Sequence, residues 1–349
     1  MRITQISLEE SLGKPLAHDL TKIDAKKHKK MAMFKKGQII TEEDLPILRD
    51  MGKEHISILE LTNSEMHEDN AAAALRDALL GENCSAGDVA EGRITIYADC
   101  DGLLSYNPQS VHRINEDPDW VLATTAPHRQ VRRGQAIAGF RILPLAMEKH
   151  RVERAVSTAS RMNVKPFRPL RAGLVTTGRE IAEGRVEDAF SVKFSAKISA
   201  FGGTLIGQRF TLDDAELIAA AIRGFLSEGA EVVVCTGGMS VDADDRTPRG
   251  IGLVAKKIAF RGAPILPGAM LMLGWADSIN SCDSGGNDVA ILGAPACVVH
   301  DERTALDCML PFIFAGENPT PYVRQWGVGG LCEGCAPCHW PSCSFSSDC

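Results

Sequence analysis

The sequence predicts an α/β fold: a three-layer domain with a mostly parallel sheet over residues 166–317, a smaller mixed α/β domain at 1–165, and a cysteine-rich tail at 318–349. Three observations point there. Between residues 170 and 315, short apolar runs alternate with longer stretches of helical periodicity, which suits a parallel sheet covered on both faces. One of those runs, Glu231-Val232-Val233-Val234-Cys235, opens directly into a glycine-rich, acidic loop. Five of the eleven cysteines crowd the end of the chain, from Cys332 to Cys349.

The N-terminal region reads as short elements of both kinds. Lys35-Lys36-Gly37-Gln38-Ile39-Ile40 is a turn entering a strand, and Thr41-Glu42-Glu43-Asp44 opens a helix that the Thr41 hydroxyl is expected to cap. Ile56 to Leu59 alternates as a strand, and an Ala- and Leu-rich helix covers about 68–80 before Gly81. Strand-like runs follow at Arg93–Tyr97, Trp120–Ala123 and Ala136–Leu143. The boundary is expected near 160–168, where Pro166 and Pro169 break a basic linker.

In the second domain, Leu170–Thr176 is a buried strand and Asp188–Phe201 a helix ended by Gly202-Gly203. Thr204-Leu205-Ile206 is a short strand. Thr211 is expected to cap a helix whose Leu217, Ile218, Ala221, Ile222 and Phe225 have helical spacing. Strands at 231–235 and 289–292 and a helix at about 302–314 complete the alternation. In such sheets ligands sit at the carboxyl ends of the strands.

Composition narrows the function. At 44% hydrophobic and 24% charged, the chain is of ordinary globular type. A net charge of -7 argues against nucleic-acid or anionic-lipid partners. Neither a secretory signal nor a membrane span is expected, and the cytoplasm is the expected compartment.

The chemistry concentrates in Cys235-Thr236-Gly237-Gly238-Met239-Ser240-Val241-Asp242-Ala243-Asp244-Asp245-Arg246-Thr247-Pro248. Gly237 and Gly238 allow a sharp turn that brings backbone N–H groups close to an anion, and Thr236 and Ser240 add hydroxyls. A helix opening at Thr247-Pro248 would add a positive dipole end. Asp242, Asp244 and Asp245 would repel phosphate unless a divalent cation such as magnesium bridges them. The bland alternative is an acidic, glycine-rich surface turn.

The whole string resembles the signature loop of the molybdopterin-binding fold, found in molybdopterin adenylyltransferases, molybdopterin molybdenumtransferases and both ends of gephyrin. The resemblance implies that the glycine loop holds the pterin's terminal phosphate, and it maps the family's catalytic carboxylate onto Asp245. Thr176-Thr177-Gly178-Arg179-Glu180-Ile181 is similar to the element after the first strand of molybdenumtransferases, with Asp188 where the family has a polar residue. Leu292-Gly293-Ala294-Pro295 is similar to the family's Gly-Leu-Pro-Gly-Asn-Pro turn, but Ala294, Ala296 and Cys297 stand where Leu, Gly and Asn are usual. Pro267-Gly268-Ala269-Met270 resembles a Pro-Gly-Lys turn without its lysine. Residues 36–52 resemble a stretch that precedes the same domain in molybdenumtransferases.

On this basis Asp245, Asp242 and Glu180 are the candidate catalytic acids. Thr236, Gly237, Gly238, Ser240, Thr177, Gly178, Asp188, Gly293 and Pro295 are the candidate cofactor-binding residues. Cys332, Cys335, Cys338 and Cys343 have spacing suited to a metal, either an iron–sulfur cluster or zinc.

His67-Glu68-Asp69 could be a ligand group, but reads first as an acidic first turn with a surface histidine. The basic run at His128, Arg129, Arg132 and Arg133 reads as a solvated strand edge, with a second grip on an anionic ligand as the alternative, while Cys235, Met270 and Met272 read as packing. The functional expectation is binding of molybdopterin or its adenylylated form in cofactor biosynthesis, metal insertion or delivery. A homo-oligomer and a molybdoenzyme or another biosynthetic protein are the expected partners. Asp245 and Glu180 favour an adenylylating or metal-inserting enzyme, whereas Ala294, Ala296 and the missing lysine favour a carrier. A nucleotide pyrophosphatase of the competence-damage type, and a metal-cluster protein binding another phosphorylated ligand, stay open.

Overall fold

A computed structural model describes residues 2–24, 29–178, 190–239, 245–278, 288–340, 343 and 345. The chain divides into two units. Met1–Tyr97, Tyr106–Thr125 and Ala136–Met162 form the first; Ala98–Ser105, Ala126–Gln135 and Asn163–Cys349 form the second.

In the first unit, Arg2–Ser7 pairs antiparallel with His55–Glu60. Leu8, Leu16, Ile40, Leu48 and Ile58 are buried in one cluster with them. The helix expected after Thr41 spans Asp44–Asp50, but Thr41 does not cap it: its hydroxyl and its N–H both donate to Asp44 Oδ2, at 2.8 and 2.9 Å. Helix Glu68–Leu79 forms where its Ala- and Leu-rich run predicts, with Ala71, Ala72, Leu75 and Leu79 on the buried face. An antiparallel sheet holds Cys84–Ala86, Arg93–Ala98, Ala136–Ile142 and Trp120–Thr124 in that order.

In the second unit six strands make one sheet: β1 Arg171–Thr177, β2 Thr204–Thr211, β3 Val232–Thr236, β4 Lys257–Arg261, β5 Met272–Ala276 and β6 Val289–Ala294. Their order is β2-β1-β3-β6-β5-β4. The first four in that order run parallel, and β5 is antiparallel to both neighbours. Strand alternation sends side chains to opposite faces, and here both faces are apolar. Ala172, Leu174, Val232, Val234, Ala290 and Leu292 pack under helices α1, Phe190–Ser199, and α5, Ala305–Ala315. Val175, Val233, Cys235 and Ile291 pack under α2, Ala215–Ser227, and α3, Thr247–Gly252. α4, Cys297–His300, is a single turn after β6. This is a three-layer α/β arrangement.

Two local expectations change. β2 continues through Thr211, so the cap of α2 is Asp214, whose Oδ1 accepts from the N–H groups of Glu216 and Leu217 at 2.9 and 3.0 Å. Leu217 stands 48% exposed, so the buried stripe of α2 runs through Ile218, Ile222 and Phe225 instead. β4 and β5 have no counterpart among the sequence expectations: β4 is a short mixed run between Lys257 and Arg261, and β5, though apolar, has Gly274 at its centre and no β-branched residue.

The end of the chain packs on the same core. Val323, Trp326 and Phe345 are buried within it. The N–H of Leu266 donates to Gly330 O, and that of Cys332 to Leu266 O, each at 2.8 Å. No helix among the described residues is long and apolar enough to cross a membrane.

Candidate functional site

The registry of the parallel strands brings the three sequence motifs to one edge. Val175 pairs with Cys235 and Cys235 with Gly293, and one residue further on Thr176, Thr236 and Ala294 are aligned. Neighbouring strands lie about 4.8 Å apart. Thr177-Gly178, Gly237-Gly238 and Pro295 therefore leave the sheet side by side at its carboxyl edge.

The turn after β3 is fastened from two sides. Thr177 Oγ1 donates to Thr236 O at 3.2 Å and lies 3.4 Å from Thr247 Oγ1. Thr247, fully buried at the start of α3, donates its hydroxyl to Gly237 O at 2.8 Å. Both glycines have positive φ, +89° at Gly237 and +55° at Gly238. A Cβ at Gly237 would lie 2.4 Å from Thr177 O, a collision with backbone. A trans peptide sets N–H opposite C=O, so tying Gly237 O to Thr247 turns the Gly238 N–H to the other side. Among the described residues nothing accepts from that N–H.

Asp245 stands just before this helix, half-buried. Its Oδ2 is buried and has no hydrogen-bond partner among the described residues. A buried carboxylate oxygen without a donor or cation is costly, so the position is suited to a charged or hydrogen-bonding ligand group. The same corner holds a carboxylate that the sequence reading passed over as part of a helix entry: Asp213 Oδ1 would lie 2.8 Å from a Cβ at Gly238. Its signal in the sequence is only Leu212-Asp213-Asp214 before an apolar helix, which also reads as capping.

Other expected residues are placed differently. Gly293 makes room for packing: a Cβ there would meet Met239 Sδ and Cε at 2.7 Å. Pro295 is half-buried and its carbonyl accepts from Val298 N–H at 3.1 Å. Gly178 N–H donates to Thr211 O at 3.1 Å. α3 is only six residues long, a short source of helix dipole. Glu180, Asp188, Ser240 and Asp242 lie outside the described residues.

Residues 173–314 match the family described as "Probable molybdopterin binding domain". That match covers residues 173–314 of the second unit, the span of the six-stranded sheet from β1 to α5. Residues 5–60 match a separate domain of unknown function. Among solved structures, the chain is similar to the molybdopterin biosynthesis enzyme MoaB from Thermus thermophilus, at 17% identity and TM-score 0.33, covering 41% of this chain and 91% of that one. The tungsten cofactor synthesizing protein MoaB from Pyrococcus furiosus gives 16% identity and TM-score 0.32, covering 41% and 90%. CinA from Thermoplasma acidophilum, titled a protein of unknown function, gives 18% identity and TM-score 0.29, covering 36% and 87%. No curated protein gives a significant sequence match.

The sheet also explains Cys235. Full burial pushes its thiol well above the ordinary range, so it stays protonated and serves packing. The tail cysteines are a different matter. Cys335 and Cys338 are exposed, Cys332 and Cys343 half-buried, and no three of the four place their sulfurs within 4.8 Å of one another.

Two bland readings are corrected. His67 is not a surface residue: it caps helix Glu68–Leu79 by accepting from Asp69 N–H at 3.2 Å, and Glu68 beside it is buried in an ion pair with Lys36. His128 is not a solvated edge: its ring lies 3.9 Å from Tyr322 and 5.5 Å from Phe312, centroid to centroid. Met272 is core, and Met270 is half-buried.

Proposed function

We propose that the chain binds molybdopterin by its terminal phosphate at the carboxyl edge of the β1-β3-β6 sheet, as part of molybdenum-cofactor biosynthesis, metal insertion or delivery. The observation that carries this reading is the open Gly238 N–H in a turn fastened to Thr247, with the buried, unpartnered Asp245 Oδ2 two residues before Thr247. A backbone donor and a carboxylate at one corner suit a phosphate and a divalent cation together. Thr177 and Thr247 would hold the loop in its turn, and Gly238 would offer the amide. Asp245 would hold the cation, and the cation would screen the phosphate from Asp245 and Asp213.

Compound analysis of protein produced and purified without oxygen tests this reading. Oxidised pterin released from the denatured protein should be detected at near-stoichiometric level by fluorescence. A protein that carries no pterin and takes none up from a molybdopterin donor would contradict it.

A further inference from the structure

We propose a second ligand site at the opposite, amino-terminal edge of the same sheet, taking a small organic anion with a flat apolar body. A cavity of about 290 Å³ opens there, at the low end of the range of small-molecule sites. Its lining includes Leu170 just before β1, Ala290 near the start of β6 and Trp275 near the end of antiparallel β5. The strands between this edge and the glycine loop are five to seven residues long, which separates the two sites by roughly 17–23 Å at about 3.3 Å per residue.

The wall and the charge are both specific. Leu170, Ala259, Trp275, Ala290 and Ile313 give an apolar face continuous with the domain core. Three acids line the cavity, two in ion pairs and one bonded to a backbone N–H. Asp288 pairs with Lys256, Glu317 pairs with Lys165, and Glu231 Oε2 accepts from Arg171 N–H at 3.0 Å. Arg168 differs. It lines the cavity half-buried, without an ion pair among the described residues, and its Nε is buried with no acceptor. The chain holds it there: Arg168 N–H donates to Phe314 O at 2.8 Å, and the side chain lies over Gly316, where a Cβ would come within 3.1 Å of Nη2. A guanidinium beside a helix carboxyl end is favourable in itself, yet no carbonyl among the described residues accepts from its side chain. A half-buried guanidinium of this kind is completed by a bidentate anion, carboxylate or phosphate. The apolar wall selects one with a ring rather than a bare ion.

Isothermal titration of the full chain with benzoate, phenyl phosphate and neutral benzamide tests the site. At least one anion should bind saturably in the millimolar range or tighter, and benzamide should bind roughly tenfold weaker or less. Tighter benzoate identifies a carboxylate ligand, and tighter phenyl phosphate a phosphate one. Arg168→Gln should weaken the anions by roughly tenfold or more and leave benzamide unchanged. Ala259→Leu, which fills the cavity from its apolar wall, should weaken all three, and circular dichroism checks that both variants fold. Gly238→Asp should not affect this binding. The proposal fails if neither anion saturates, if their binding survives Arg168→Gln, or if it disappears in Gly238→Asp.

Discussion

The two glycines of the loop play different parts, and mutagenesis can separate them. At Gly237 a side chain would strike the Thr177 carbonyl, so any substitution must move backbone. At Gly238 the nearest atom is the carboxylate of exposed Asp213, which can swing aside. The remaining costs at Gly238 are a shift of a few tenths of an ångström by the Thr247 hydroxyl, 3.0 Å from a Cβ there, and the positive φ, about 1–2 kcal/mol for an L side chain and less for Asp. Gly238→Asp is therefore the variant that reports on ligand binding with the domain still folded. Asp245 reports on chemistry. Its buried Oδ2 has no internal donor, so Asp245→Asn keeps the shape and removes the charge that would hold a cation. If the chain turns over adenylylated pterin or inserts metal, Asp245→Asn should lower kcat by about 100-fold or more with pterin affinity little changed. An unchanged kcat would move the catalytic role to another acid.

At the scale of elements, the tail behaves as part of the α/β unit. Phe345 is 3% exposed and sits in the same cluster as Trp326, Phe312 and Phe314. Arg303 lies over the Trp340 ring, 4.6 Å from its centroid, and Arg129 Nη2 donates to Cys343 O at 3.3 Å. Phe345→Ala should therefore lower unfolding free energy by about 3 kcal/mol in urea titration, whereas a tail that merely hangs from the domain would show no change. The sequence announced the central strands because their Val- and Ile-rich runs are buried on both faces. It announced the loop because Gly237-Gly238 has few other uses directly after such a strand. It could not announce that Gly293 makes space for Met239, that Asp213 reaches Gly238, or that Asp214 rather than Thr211 caps α2. The first two depend on contacts between elements; the third depends on where β2 stops, since Thr211 and Asp214 are both capping residue types.

At the scale of the whole molecule, stability should fall in mild acid. Burial against Phe312 and Tyr322 pushes the His128 imidazole below its ordinary value of about 6.5. The unfolded chain then takes up the proton more readily than the folded one. The contribution of His128 is fully present above about pH 6.5, is lost as pH falls from there through the folded value, and is flat below it. Urea midpoints between about pH 7.5 and 5 should show this slope, and His128→Asn, which tolerates the positive φ of 61°, should flatten it. The central claim is the proposal that the carboxyl-edge loop of the α/β domain receives a phosphorylated pterin. The most direct test is anaerobic titration of molybdopterin into the parent chain and Gly238→Asp, with folding checked by circular dichroism. The account predicts saturable 1:1 binding by the parent and affinity at least tenfold weaker, about 1.4 kcal/mol, in the variant; equal affinity in a folded Gly238→Asp protein would contradict it.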